Sequence, residues 1–170
     1  MKVAILTVSD RCARGEAKDE TGPRLREVME QTGAQVVEVT VVPDEEEEIR
    51  EQLVRLCEKG ADVVLTNGGT GFAPRDVTPE ATQSVIERPA PGLPEAMRTR
   101  TLAITADAML SRACAGLRGK TLILNLPGSP QGAQECLQVV LPVLAHAVEM
   151  LAGGEHACSH RERAPGGAGE

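Results

Sequence analysis

Aromatic residues are almost missing from this chain. It has no tryptophan and no tyrosine, and Phe72 is its one phenylalanine. Leu, Val, Ile, Ala and Met must therefore fill the core, and aromatic stacking is excluded as the main way of holding a flat heterocycle. Basic residues are in deficit: 18 Lys and Arg against 25 Asp and Glu give a formal net charge of -7. That balance argues against nucleic acid or an anionic membrane as the main partner, because both call for basic surface. It leaves an anionic small molecule open, since recognition there is local. No apolar run approaches the roughly 20 residues of a membrane span. Met1-Lys2-Val3-Ala4-Ile5 passes directly into a strand pattern, so no signal peptide is visible. No Cys-x-x-Cys occurs, and the cysteines Cys12, Cys57, Cys114, Cys136 and Cys158 are odd in number, which fits reduced thiols in a cytoplasmic protein.

The 170 residues fit one ordinary domain with a core that needs no disulfide or metal staple. Strands are expected over residues 2–8, 35–42, 63–65 and 121–126. Helices are expected over 23–32, 44–59, 79–87 and 94–105, with a final one after Ser129. The polar segment 12–22 reads as a loop, and 108–119 as irregular structure or a short hairpin. Pro142 should kink the last helix, whose apolar stripe runs from Ala133 to Leu151. After that the composition turns polar and rich in Gly and Ala, so residues 1–152 form the expected domain and 153–170 a flexible tail. Strands alternating with helices predict an α/β fold: a three-layer, doubly wound, mainly parallel sheet with helices on both faces. Ligands in such folds bind beyond the carboxyl ends of the strands.

One stretch organises the chain: Val63-Val64-Leu65-Thr66-Asn67-Gly68-Gly69-Thr70-Gly71, running on to Pro74-Arg75-Asp76-Val77-Thr78-Pro79. A buried strand ends in a glycine-rich turn, whose backbone freedom lets successive N–H groups point into one concavity. Thr78-Pro79 reads as a helix cap followed by proline at the first helical position. The glycines alone also fit an ordinary tight turn. Asp76 favours function, because a carboxylate beside a phosphate cradle implies a cation between them. Asp44 with Glu47 fits a capping box, which explains Asp44 without function. Pro127-Gly128-Ser129-Pro130 fits either strand-to-helix punctuation or a second anion pocket at a helix N-terminus.

Other readings fail on spacing. Gly119-Lys120-Thr121 is not a P-loop, since Cys114 stands where the leading glycine belongs and a strand pattern follows. A dinucleotide fingerprint starting at Gly69 meets Pro74 in its third glycine place. His156, Cys158 and His160 offer three potential metal ligands, but in the tail and without a partner motif.

The combination of Thr66-Asn67-Gly68-Gly69-Thr70-Gly71 with Arg75-Asp76-Val77-Thr78-Pro79, Val8-Ser9-Asp10-Arg11, Pro43-Asp44-Glu45 and Leu126-Pro127-Gly128-Ser129-Pro130 resembles the molybdopterin adenylyltransferase family of molybdenum-cofactor biosynthesis. That family includes MogA- and MoaB-type proteins and the N-terminal domain of gephyrin. Asn67 departs from the second threonine that many relatives carry. The resemblance implies a MogA-like fold and AMP transfer from Mg-ATP to the terminal phosphate of molybdopterin, with pyrophosphate released. It implies Asp44 and Asp76 as catalytic ligands of Mg²⁺. Gly68, Gly69, Thr70 and Gly71 would cradle phosphate, and Ser9, Ser111, Asn125, Gly128 and Ser129 would help bind the substrates. Arg75 or Arg112 would offset developing charge. It further implies a homo-trimer or hexamer, working beside other molybdenum-cofactor biosynthesis proteins. The alternative is a non-catalytic molybdopterin carrier or scaffold; hydrolysis of a nucleotide-like pyrophosphate on the same cradle is a third reading.

Overall fold

The computed structural model describes residues 1–153. The paired histidines and cysteine of the tail, His156, Cys158 and His160, lie outside them. β1 (Lys2–Val8) is followed by a single helical turn, α1 (Asp10–Ala13), and by α2 (Thr21–Gln31). β2 (Gln35–Val42), α3 (Glu46–Glu58), β3 (Val63–Asn67) and α4 (Thr78–Val85) come next. The two-residue β4 (Arg88–Pro89), α5 (Gly92–Thr101), a 3-10 helix (Ala106–Leu110), β5 (Ala115–Arg118), β6 (Thr121–Leu126) and α6 (Pro130–Leu151) complete the fold.

The six strands form one sheet in the order β2-β1-β3-β6-β5-β4. The first four are mutually parallel, while β5 runs antiparallel to β6 and β4 antiparallel to β5. Side chains alternate across the central strands as a pleat requires. Val3, Ile5, Val63, Leu65, Leu122 and Leu124 face a core shared with Leu25, Met29, Met97, Leu137 and Val140 of α2, α5 and α6. Ala4, Leu6, Val64 and Ile123 face the other core, against Ile49, Leu53 and Leu56 of α3 and Ala81 and Val85 of α4. Burial on both faces explains why these strands read as continuous apolar runs. The result is the α/β sheet with helices on both faces that the strand-helix alternation predicts.

Several expectations are corrected. The segment 12–22 is not all loop: Ser9 Oγ accepts a hydrogen bond from Cys12 N and starts α1, and α2 begins at Thr21 because Asp19 Oδ1 accepts from Thr21 N and Gly22 N. The fifth helix covers 92–101, not 94–105; past Thr101 the chain turns into the 3-10 helix. The segment 108–119 contains β5, one arm of the hairpin closed at Gly119-Lys120. Pro142, the expected kink site, lies inside α6 on its exposed face, where water can take up the carbonyl that lost its donor.

The order of strands reverses between β1 and β3: β1 connects to β2 on one side, and β3 lies on the other. Such a switch point opens a crevice at the carboxyl ends of the strands. Val8, Val42, Asn67 and Leu126 are the last residues of the four parallel strands, and every motif named above follows one of them.

Candidate active site

The glycine turn is fixed on one side and open on the other. Gly68 and Gly69 both have positive φ, 96° and 62°. A Cβ at Gly68 would collide with the carbonyl oxygen of Val8; one at Gly69 would meet Thr78 Oγ1 and lie 3.1 Å from Asp44 Oδ1. One at Gly71 would lie 2.9 Å from Asp76 Oδ2. Glycine is therefore needed because two carboxylates and a hydroxyl press against the turn. Four successive carbonyls are held by the protein. Gly68 O accepts from Thr78 Oγ1 (2.8 Å), Gly69 O from Thr78 N (3.1 Å), Thr70 O from Arg112 N (2.9 Å) and Gly71 O from Arg112 Nε (2.7 Å). With the carbonyls turned away, the N–H groups of Gly69, Thr70 and Gly71 keep no partner among the described residues. Three consecutive free donors form an anion nest. Gly68 N–H is not among them, since it continues the sheet by donating to Leu126 O.

Thr78 does not cap α4 as its sequence context predicts. Val77 holds the cap position and Thr78 is fully buried beneath the turn, spending its hydroxyl on Gly68 O. Asp44 is likewise no capping-box residue. α3 starts at Glu46 with no side-chain cap, and Asp44 instead exchanges hydrogen bonds with Asp10. Asp44 Oδ2 accepts from Asp10 N (2.7 Å), and Asp10 Oδ1 accepts from Asp44 N (3.1 Å). Burial pushes the Asp44 carboxyl above the usual carboxylate range, and the neighbouring charges of Asp10 and Asp76 add to it. The Arg75 guanidinium, bonded to both oxygens of Asp10, holds that carboxyl below the usual range. Asp76 Oδ2 accepts from Ala73 N and its own N–H returns to Ala73 O, a tight turn that aims the carboxylate back at Gly71.

Around this turn lies a cavity of about 620 Å³, lined on its turn side by Gly69, Thr70, Gly71 and Asp76 and elsewhere by Ser111, Gly128 and Ser129. Apolar walls come from Met97, Leu110, Pro127 and Cys136. A second, smaller cavity of about 240 Å³ shares Gly128 with it. Ser9, Gly68, Asp19 and Thr21 line this one. Ser129 does cap α6, with Oγ accepting from Gly132 N at 3.2 Å and Pro130 at the first helical position.

Asn125 is placed differently from the sequence expectation. It is completely buried and lines neither cavity. Its Nδ2 donates to Thr66 Oγ1 and Thr82 Oγ1, both at 2.9 Å, and its Oδ1 accepts from Cys114 N and Sγ. With both ends of the amide committed, Asn125 supports the site from below and has no group left for a ligand. The two arginines offered as charge-offsetting groups are also committed. Arg75 pairs with Asp10 and Glu45, and Arg112 binds Gly71 O, Asp76 O and Glu80. Arg112 is the clasp of the turn. Arg98, Thr101, Asp107 and Glu135 line the main cavity, and no sequence motif marks them. Arg98 and Thr101 lie on α5, Asp107 on the 3-10 helix and Glu135 on α6, and only the packing of these elements brings them to one cavity.

Among the described residues, no three His, Cys, Asp or Glu side chains converge as a self-contained metal centre, and no helix is long and apolar enough to cross a membrane.

The family profile described as "Probable molybdopterin binding domain" matches residues 4–146. The chain is 51% identical to the molybdopterin biosynthesis enzyme MoaB from Thermus thermophilus, whose crystal structure superposes with a TM-score of 0.85, covering 90% of this chain and 97% of that one. A structure of MogA also gives a TM-score of 0.85 at 40% identity, over 89% of this chain and 99% of that one. A molybdopterin adenylyltransferase of Helicobacter pylori is 39% identical over 154 residues, covering 89% of this chain and 88% of the relative. A profile matching most of the length, together with relatives covered almost end to end, shows that the chain belongs to the molybdopterin binding domain family of molybdenum-cofactor biosynthesis.

Proposed function

We propose that this protein is a molybdopterin adenylyltransferase. It transfers AMP from ATP to the terminal phosphate of molybdopterin and releases pyrophosphate. An oxygen of the molybdopterin phosphate attacks the α-phosphorus of ATP; that P–O bond forms as the bond from the α-phosphorus to the bridging oxygen of pyrophosphate breaks. The observation that carries this reading is the triple of unpartnered N–H groups at Gly69, Thr70 and Gly71, flanked by the carboxylates of Asp44 and Asp76. The activity named for the Helicobacter pylori relative agrees with it.

Two anions must meet, so alignment and neutralisation carry most of the catalysis. The nest holds a phosphate, and the Thr70 hydroxyl adds a donor. Ser111, Gly128 and Ser129 hold molybdopterin in the larger cavity; Ser9 contributes from the smaller one, where Gly68, with both backbone groups spent, supplies only close approach. A phosphate nucleophile is already ionised at neutral pH, so the attack needs no general base. Mg²⁺ suits the pair Asp44 and Asp76. Both offer hard oxygen donors, and the upward shift of Asp44 by burial and like charge is what a cation would relieve. When bound, the ion would neutralise phosphate charge. The exposed apolar residues Leu102, Ile104, Met109 and Leu110 support assembly as a homo-oligomer; the trimer or hexamer and the cytoplasmic location rest on the family resemblance alone.

The test is pyrophosphate release from Mg-ATP, with and without molybdopterin, beside Asp76→Asn. Release should require molybdopterin and fall by about 10²-fold or more in the variant, as loss of one charge-stabilising group does. Near-normal turnover by Asp76→Asn would remove that carboxylate from the reaction.

A further inference from the structure

The larger cavity receives an anion, yet its wall carries three acids: Asp76, Asp107 and Glu135. One basic residue lines it, Arg98. The arginines nearest the turn are neutralised, Arg75 by Asp10 and Glu45 and Arg112 by Glu80. Arg98 is not. Among the described residues no carboxylate pairs with it. Half-buried on α5, it spends one nitrogen: Nη1 donates to Ala113 O at 3.0 Å and, at 3.4 Å, to Ser111 O. Nε and Nη2 have no partner there. A half-buried guanidinium lacking a counter-ion, pinned at one corner with the rest of its fork open, is arranged to receive an anion. The neighbouring walls are apolar: Met97 precedes it on the helix and Leu110 and Cys136 line the same space. A low-dielectric surround strengthens such a contact.

We infer that Arg98 is the cationic anchor of molybdopterin, binding an anionic group of that substrate while the glycine nest serves ATP. This rests on the adenylyltransferase reading above. Molybdopterin offers two anionic groups, its ene-dithiolate and its terminal phosphate, and either chemistry suits the open fork. Arg98 is then a specificity-determining residue: it favours the substrate that enters the apolar cavity without touching the nucleotide.

A purely structural role makes a different prediction. Arg98 braces the segment Ser111–Ala113, and Arg112 of that segment holds the carbonyls of Thr70 and Gly71. A slack brace would loosen the nest, so ATP binding would suffer together with molybdopterin binding.

The experiment uses the full chain as wild type, Arg98→Met and Arg98→Lys. Molybdopterin affinity is measured without ATP, by titration of the pterin's absorbance or fluorescence. The KM for each substrate is then read from pyrophosphate release. Loss of a charge-assisted contact should weaken molybdopterin binding by about tenfold or more in Arg98→Met. The KM for ATP should stay near wild type, and Arg98→Lys should recover a large part of the molybdopterin affinity. Unchanged molybdopterin affinity in Arg98→Met, or an equal loss for ATP, would overturn the inference. If Arg98→Met does not fold, an Arg98→Lys affinity equal to that of a neutral Arg98→Gln decides against it. Repeating the titration with phosphatase-treated molybdopterin identifies the group held: the Arg98→Met penalty persists for the dithiolate and disappears for the phosphate. A wild type that binds molybdopterin through Arg98 but releases no pyrophosphate would end the adenylyltransferase reading and leave the anchor standing.

Discussion

Asp44 is held at a disadvantage. Its carboxyl is partly buried, takes a hydrogen bond from Asp10 N, and faces the charges of Asp10 and Asp76. A carboxyl whose folded-state pKa is raised is a net liability to the fold once it ionises. The penalty is absent below its unfolded pKa, in the ordinary carboxylate range, where the group is protonated in both states. It grows as pH rises through the folded value and is full above it. Asp44→Asn keeps an oxygen that can accept from Asp10 N while removing the charge. In metal-free buffer this variant should melt higher than wild type at neutral pH, because it has no charge to bury and none to repel Asp10 and Asp76. The difference should shrink toward zero as pH falls to about 4 and below. Melting curves across that range test it, and a variant that melts lower at neutral pH would show that the Asp10–Asp44 hydrogen bonds outweigh the repulsion. Asp10 carries the opposite sign: Arg75 depresses it, so its contribution is present above the ordinary carboxylate range and fades on acidification. Burial and like charge at a carboxyl beside the glycine turn fit the metal-binding role proposed for Asp44.

Between elements, Asn125 is the knot. From β6 it reaches Thr66 of β3 and Thr82 of α4, both fully buried, and the backbone of the half-buried Cys114 just before β5. Asn125→Ala should lower stability by about 2–4 kcal/mol, because several buried groups lose partners at once. Denaturant unfolding checks this, and a loss under about 1 kcal/mol would mean that Thr66 and Thr82 re-pair with each other or with water. Elements of this kind mark the limit of sequence reading. The central strands, the glycine stops of α2 and α3 and the cap of α6 follow from local patterns, since Val and Leu runs, Gly33, Gly60 and Ser129-Pro130 each act through near neighbours. Asp44 and Thr78 also sit beside helix starts and match local capping rules. Both are pulled away by partners outside the helix they adjoin, Asp10 and Gly68. The convergence of the four strand-end motifs was legible, because a parallel sheet brings all its carboxyl ends to one edge. The engagement of Arg75 and Arg112, and the open fork of Arg98, were not, because each depends on contacts that sequence spacing does not encode.

At the scale of the molecule, everything that forms the two cavities lies between Thr7 and Cys136, and the rest of α6 returns along the sheet to fill the core with Leu137, Val140 and Leu144. Val148 and Leu151 pack at the edge of that core, so the helix is needed to its end. Residues beyond 153 add His156, Cys158 and His160 to a stretch rich in Gly and Ala. If the 1–152 region is the working domain, a chain cut after Gly153 should melt within a few degrees of the full protein, a shift corresponding to less than about 1 kcal/mol. It should also keep its kcat and both KM values. A chain cut before Leu144 should melt far lower, since it loses Leu144, Val148 and Leu151 from the larger core. The comparison separates two roles for the tail. A shortened protein that melts normally but turns over slowly would give residues 154–170 a part in the reaction or in substrate delivery. A shortened protein that melts early would make them part of the fold. Equal behaviour in both assays would confine the fold and the chemistry to residues 1–153.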